Sequence, residues 1–187
     1  MRNCKLALLA LVLPVLSAQA LEIQGINLPE TKTVAGKTLQ LNGAGVRTVK
    51  LAIIPIKAYV ASFYAPSPLR TSSAVMASPG PLQLNFTFLQ GASVGQVIDA
   101  WKAQFGASTT FTYDGFEADR DKFIAFYPAL SKGDTQTVIL NGGQTEAWFN
   151  GKKLGTIPGT NFQKAFLSMW FGSNPVQDDL KMALLGQ

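Results

Sequence analysis

Residues 41–65, LNGAGVRTVKLAIIPIKAYVASFYA, hold the longest apolar segment after the N-terminus. Gly43 and Gly45 precede a cation, Arg47, and a run rich in Val, Ile, Tyr and Phe follows it. Residues of that kind suit the pleated, half-buried surface of a strand. A run this apolar has to be covered, so the rest of the chain must supply elements that pack over it. Just before it, Thr38 and Gln40 alternate with Leu39 and Leu41, the period of a half-buried strand. Asn42 to Gly45 is expected to interrupt the sheet as a bulge or a close backbone approach. Pro55 lacks an N–H for a central ladder, which predicts a break near Ile54-Pro55-Ile56 with a strand on either side. In the second strand, Ile56, Ala58, Val60 and Ser62 are expected on one face. Lys57, Tyr59, Ala61 and Phe63 are expected on the other.

The remaining pattern supplies the cover. Leu21 to Val34 reads as a short strand, a turn and a return. Arg70 to Ala77 reads as a short helix ended by Pro79-Gly80-Pro81. Leu82, Leu84, Phe86 and Phe88 alternate with Gln83, Asn85 and Thr87, a clean strand. Ser93 is placed to cap a helix running to about Phe105, with Val94, Val97, Ile98, Trp101 and Phe105 as its apolar stripe and Gly106 as its end. A second helix is expected from Phe116 to Ala129. Strands at residues 135–140, 144–149 and 152–157 are separated by Asn141-Gly142-Gly143 and Asn150-Gly151, strong hairpin signals. Phe162, Ala165, Phe166, Met169 and Trp170 recur at helical spacing, and Gly172 stops that helix. Ser173 or Asn174 is expected to cap a last helix with Pro175 in its first turn. The sum is an α+β chain: an antiparallel sheet with helices packed on one face.

Composition narrows function by exclusion. The chain has no histidine, which removes the commonest general base and most zinc and haem sites. Its one cysteine, Cys4, lies in residues 1–20, MRNCKLALLALVLPVLSAQA. Those residues read as a signal peptide: basic Arg2 and Lys5, an apolar Leu6 to Leu16, and an Ala18-Gln19-Ala20 cleavage site. The expectation is an exported, periplasmic chain, with one domain from Leu21 to Gln187 and no spanning segment in its mature part. The net charge is +5, and Arg2 and Lys5 fall in the leader, so the remainder carries only +3. With no dense basic cluster, no nucleic-acid partner is expected. No spacing of carboxylates suggests a metal site, and no cofactor is expected.

The segment Gly43-Ala44-Gly45-Val46-Arg47 with its following strand resembles the Gly-x-Gly-x-Arg strand region of the chalcone isomerase fold. Lys122-Phe123, the hairpins, and the stretch from Phe171-Gly172 to Asp179-Leu180-Lys181 agree with it. The look is nearest to bacterial exported chalcone isomerase-like proteins, over nearly all of Leu21 to Leu185. The resemblance implies an open-faced β-sandwich, with a large antiparallel sheet covered on one face by a layer of helices and a ligand cleft between the two. Plant enzymes of the family close a chalcone to a flavanone. Related non-catalytic plant members bind fatty acids, an arginine and a tyrosine holding the carboxylate.

Carried over residue by residue, Arg47 falls on the family arginine. The catalytic threonine falls near Ile54, which has no hydroxyl. The catalytic tyrosine falls near Thr112 or Tyr113, with Tyr113 the counterpart. A polar pair of the isomerase pocket falls near Met169 and Trp170, both apolar. Taken alone, Arg47 reads equally as a loop cation or half of a structural ion pair, and Tyr59 as a core aromatic. With the resemblance, the expectation is a non-catalytic monomer binding a fatty-acid-like carboxylate. Arg47 and Tyr59 or Tyr113 would hold the head, and Ile54, Ile56, Met169 and Trp170 would line the tail. The alternative is an intramolecular lyase or isomerase using Arg47 and Tyr113.

Overall fold

The computed structural model describes residues 20–51, 53–108 and 111–187. The leader reading therefore lies outside the described residues. A small hairpin, β1 (Leu21–Ile23) with β2 (Ile26–Leu28), stands apart from the main sheet. That sheet has seven antiparallel strands in sequence order: β3 (Thr31–Val34), β4 (Lys37–Leu51), β5 (Ile54–Ala65), β6 (Leu82–Phe88), β7 (Thr135–Asn141), β8 (Gln144–Phe149) and β9 (Lys152–Pro158). Helix α1 (Ser72–Ala77) lies between β5 and β6. Helices α2 (Val94–Ser108) and α3 (Phe116–Ile124) lie between β6 and β7, and α4 (Thr160–Phe171) and α5 (Asp178–Leu184) follow β9. The expected α+β architecture is thus present. Among the described residues no helix is long and apolar enough to cross a membrane.

The helices cover one face. Alternate strand residues such as Ala61, Phe63, Leu84, Phe86, Val138 and Leu140 enter one core with Trp101, Phe105, Phe123, Phe162, Phe166 and Trp170 from the helices. Many of these rings meet edge-on, for example Trp101 with Phe123 at 5.3 Å. Edge-to-face pairs add about 0.5–1.5 kcal/mol each beyond their area burial. The opposite face carries a polar chain: Gln83 Nε2 and Thr137 Oγ1 both donate to Asn85 Oδ1, and Asn85 Nδ2 donates to Ser62 Oγ.

Several boundaries differ from the sequence reading. The bulge expected at Asn42 to Gly45 is present, with Asn42 as the extra residue, but it does not end the strand, and β4 runs on to Leu51. The buried Asn42 side chain holds the bulge in place. Its Nδ2 donates to Leu69 O and Leu184 O, and its Oδ1 accepts from Leu69 N. The break expected at Pro55 comes earlier, between Leu51 and Ile54, and Pro55 sits inside β5 opposite Lys50. A proline is tolerated there because β6 joins β5 only from Tyr59 onward, so no strand flanks Pro55 on its second side.

Helix α2 passes through Gly106 to Ser108, held at its start by reciprocal bonds between Ser93 and Gln96. α3 stops at Ile124 rather than Ala129, since Pro128 cannot continue a helix and disfavours the helical region for Tyr127. α5 starts at Asp178. Neither Ser173 nor Asn174 caps it; Asn174 Nδ2 instead donates to Ala107 O, tying the α4–α5 connection to α2.

Candidate functional site

Gly43, Gly45 and Arg47 alternate along β4 and so share the helix-covered face. The two glycines let α5 lie directly on the strand. A Cβ at Gly43 would stand 2.7 Å from Leu184 O and nearer still to Ala183 O; one at Gly45 would stand 2.9 Å from the Ala183 Cβ. This close approach brings Gln177, the residue before α5, over the strand. Gln177 Nε2 donates to Val46 O, and its Oε1 accepts from Thr48 N and from Arg47 Nη1 at 3.1 Å. Arg47 Nη1 also donates to Thr48 O at 2.7 Å. Both of these bonds use Nη1, so the guanidinium keeps further N–H donors, which lie beside the Tyr59 hydroxyl. Among the described residues no carboxylate lies within ion-pair distance of Arg47.

Tyr59 is the cross-strand partner of Arg47. Beside it the register slips, because Arg47 pairs with Tyr59 while Thr48 pairs with Lys57, leaving Ala58 as the extra residue. A bulge resets the alternation of a strand. Ile56, expected on the face opposite Tyr59, therefore lies with Tyr59 on the same cleft. The Tyr59 ring meets Phe86 and Phe88 edge-on at 5.2 and 5.7 Å, and Trp170 Nε1 donates to its hydroxyl at 3.4 Å. Burial pushes the Tyr59 hydroxyl above its ordinary pKa, opposed by the Trp170 hydrogen bond and by the charge and contact of Arg47. It stays protonated at neutral pH and is available as a donor.

These side chains border a cleft of about 590 Å³ between β4–β7 and α2. Its floor is apolar: Ile56, Tyr59, Phe86, Phe88, Trp101 and Trp170. Lys50 and Val49, both exposed, stand at its edge. A second hollow of about 510 Å³ is lined by Leu21, Glu30, Thr31, Gln40 and Leu41 and offers neither a cation nor an aromatic ring.

Of the residues expected in the site, the structure brings Arg47, Tyr59, Ile56 and Trp170 to this cleft. Ile54 lies outside it, 61% exposed at the start of β5. Met169 is fully buried in the core and is not among the lining residues. Tyr113, in the loop before α3, donates to Asp119 Oδ2 at 2.6 Å and packs edge-on against Phe116. Burial, and then the Asp119 carboxylate, raise its hydroxyl pKa, and Tyr113 is not among the residues that line the cleft. The sequence reading passed over Gln177, Lys50, Gln104 and Gln136. Gln136 did carry a signal: it is an amide on the inward face of β7, where Val138 and Leu140 follow it.

No curated protein matches the chain. A crystal structure of a fatty-acid binding protein from Arabidopsis thaliana has the same fold, with a TM-score of 0.69 over 86% of this chain and 92% of that one, at 13% identity. The family model described as chalcone isomerase-like matches residues 20–186. Nearly the whole sequence carries the match and the sheet-and-helix architecture agrees with it, so the chain belongs to the chalcone isomerase-like family.

Proposed function

We propose that the cleft binds the carboxylate of a fatty-acid-like molecule, with Arg47 pairing the head group and the Tyr59 hydroxyl donating beside it. The observation that carries this is a half-buried guanidinium with no protein carboxylate among the described residues, set against a buried tyrosine at one end of an aromatic-floored cleft. A planar fork of donors fits a carboxylate, and the low-dielectric surroundings strengthen the pairing. The tail gains about 0.8 kcal/mol for each methylene buried on the apolar floor. The volume falls within the usual range for small-molecule sites, about 300–1,000 Å³. The shared fold of a fatty-acid binding protein supports the reading. So does the lining, which among the described residues holds no Asp, Glu, Ser or Thr and no hydroxyl other than that of Tyr59. Such a surface can hold an anion, but it offers no carboxylate base for ring-closing chemistry.

Calorimetric titration with medium- and long-chain fatty acids tests this. Tyr59→Phe is expected to weaken binding about tenfold or more, the worth of one hydrogen bond to a charged group. The ring contacts remain and hold the fold, while the loss of the hydroxyl leaves Trp170 Nε1 without its acceptor and lowers stability modestly. Equal affinities for the variant and the parent would remove Tyr59 from the site.

We also propose, from the leader-like residues 1–20, that the protein is exported to the periplasm and cleaved after Ala20. Intact-mass measurement of the periplasmic fraction should give a chain starting at Leu21. Full-length protein recovered from the cytoplasm would contradict it.

A further inference from the structure

We propose that the cleft carries a second, uncharged polar subsite, formed by Gln104 and Gln136, that selects a ligand bearing a hydroxyl group remote from its carboxylate. The proposal rests on the carboxylate reading of Arg47 and extends it to the class of acid bound.

Gln136 is on β7, only 1% exposed, and lines the cleft. Its Nε2 is buried and has no acceptor among the described residues. Gln104, one helical turn beyond Trp101 on α2, also lines the cleft, and its Oε1 is buried without a donor. The two residues stand on α2 and β7. Gln136 is the cross-strand partner of Phe86, and Phe86 meets Trp101 edge-on at 6.5 Å.

A buried amide left unpaired is unfavourable, because it gives up its bonds to water and gains none in return. Two residues of one cleft lining that each hold such an atom mark a place where a guest completes the bonding once the amide ends turn toward it. Water can fill that place when the cleft is empty. A ligand that displaces it without replacing its bonds loses affinity, and one that replaces them gains. A hydroxyl both donates and accepts, so it suits the unpaired atom of Gln104 and that of Gln136, whichever way each amide is turned. A second carboxylate does not fit, because the two cations of the lining, Arg47 and Lys50, both lie on β4. β7 is three strands away from β4 in the sheet, roughly 14 Å at the usual strand spacing. Tyr59, Phe86 and Trp170 fill the interval with apolar surface. The hydroxyl is thus carried on the tail, well away from the head group.

The test is calorimetric titration of the purified full chain with fatty acids of one length, unsubstituted or with a single hydroxyl stepped from mid-chain to the terminal carbon. One hydroxyl position is expected to bind about tenfold more tightly than the unsubstituted acid. Gln136→Leu and Gln104→Leu are each expected to abolish that preference while leaving Arg47-dependent binding of the unsubstituted acid in place. Arg47→Ala is expected to weaken all the acids alike. Arg47-dependent binding with no preferred hydroxyl position, or with a preference that survives both leucine variants, overturns the second subsite alone. Absence of Arg47-dependent binding for every acid overturns the carboxylate reading and this one with it.

Discussion

Replacing Arg47 with alanine is expected to weaken fatty-acid binding about 100-fold or more, with little change in stability. Truncating one partner of a desolvated charge pair costs about 2–5 kcal/mol, which is a factor of about 30 to several thousand in affinity. The fold should tolerate the change. What is lost internally is two hydrogen bonds from Nη1, to Thr48 O and to Gln177 Oε1. Gln177 still accepts from Thr48 N and donates to Val46 O. Removing an uncompensated cation from an apolar cleft offsets part of that loss. Arg47→Lys is expected to fall between the two, because it keeps the charge and loses the planar fork. Calorimetry with a fatty acid, alongside thermal unfolding, separates binding from folding. An alanine variant with undiminished affinity would show that the head group is held elsewhere.

The second large effect is expected at Gly43, about 140 residues before the helix it supports. Gly43→Ala places a methyl group against the carbonyls of Ala183 and Leu184 at the end of α5. Those carbonyls cannot easily retreat, because Asn42 Nδ2 holds Leu184 O at 2.7 Å and Arg70 Nη1 holds Leu185 O and Gly186 O. Overpacking of this kind costs about 1–3 kcal/mol or more, and a clash with fixed backbone belongs at the upper end. The loss should be visible as a lower midpoint in urea unfolding. Fatty-acid binding should fall too, since displacing α5 withdraws Gln177 from Val46, Thr48 and Arg47. Gly106→Ala is the control: it lies in α2 with open space around the added methyl, and there alanine is expected to stabilise by about 0.5–1 kcal/mol. Equal stability of Gly43→Ala and the parent would mean that the glycine does not set the approach of α5.

These two residues also show how far the sequence could be read. The local features were legible because local physics decides them. Leu82 to Phe88 alternates cleanly and is β6; Asn150-Gly151 takes the positive φ angles, 47° and 79°, of a tight hairpin turn. Gly43-x-Gly45-x-Arg47 could be read as a close backbone approach ahead of a cation, but not as the seat of α5. That contact joins residues far apart in the chain, and so Gln177 went unnoticed.

The strand-face error has a local cause. Which face a strand residue occupies depends on counting from a fixed register, and one extra residue inverts the count. The bulge at Ala58 is set by how β5 pairs with β4, and it moved Ile56 onto the face of Tyr59. The early turn after Leu51 left Ile54 exposed. On α4, Met169 and Trp170 are neighbours about 100° apart around the axis, so the two point in different directions. Trp170 reaches the cleft, while Met169 points into the core.

The most direct measurement is a crystal structure of the complex with a fatty acid brominated on its terminal carbon, whose anomalous signal locates the tail while the density locates the head. The carboxylate is expected within hydrogen-bond distance of Arg47 and the Tyr59 hydroxyl, with the bromine over the aromatic floor of the cleft formed by Phe86, Trp101 and Trp170. A carboxylate bound away from Arg47, or a cleft left empty while the acid binds elsewhere on the surface, would contradict it.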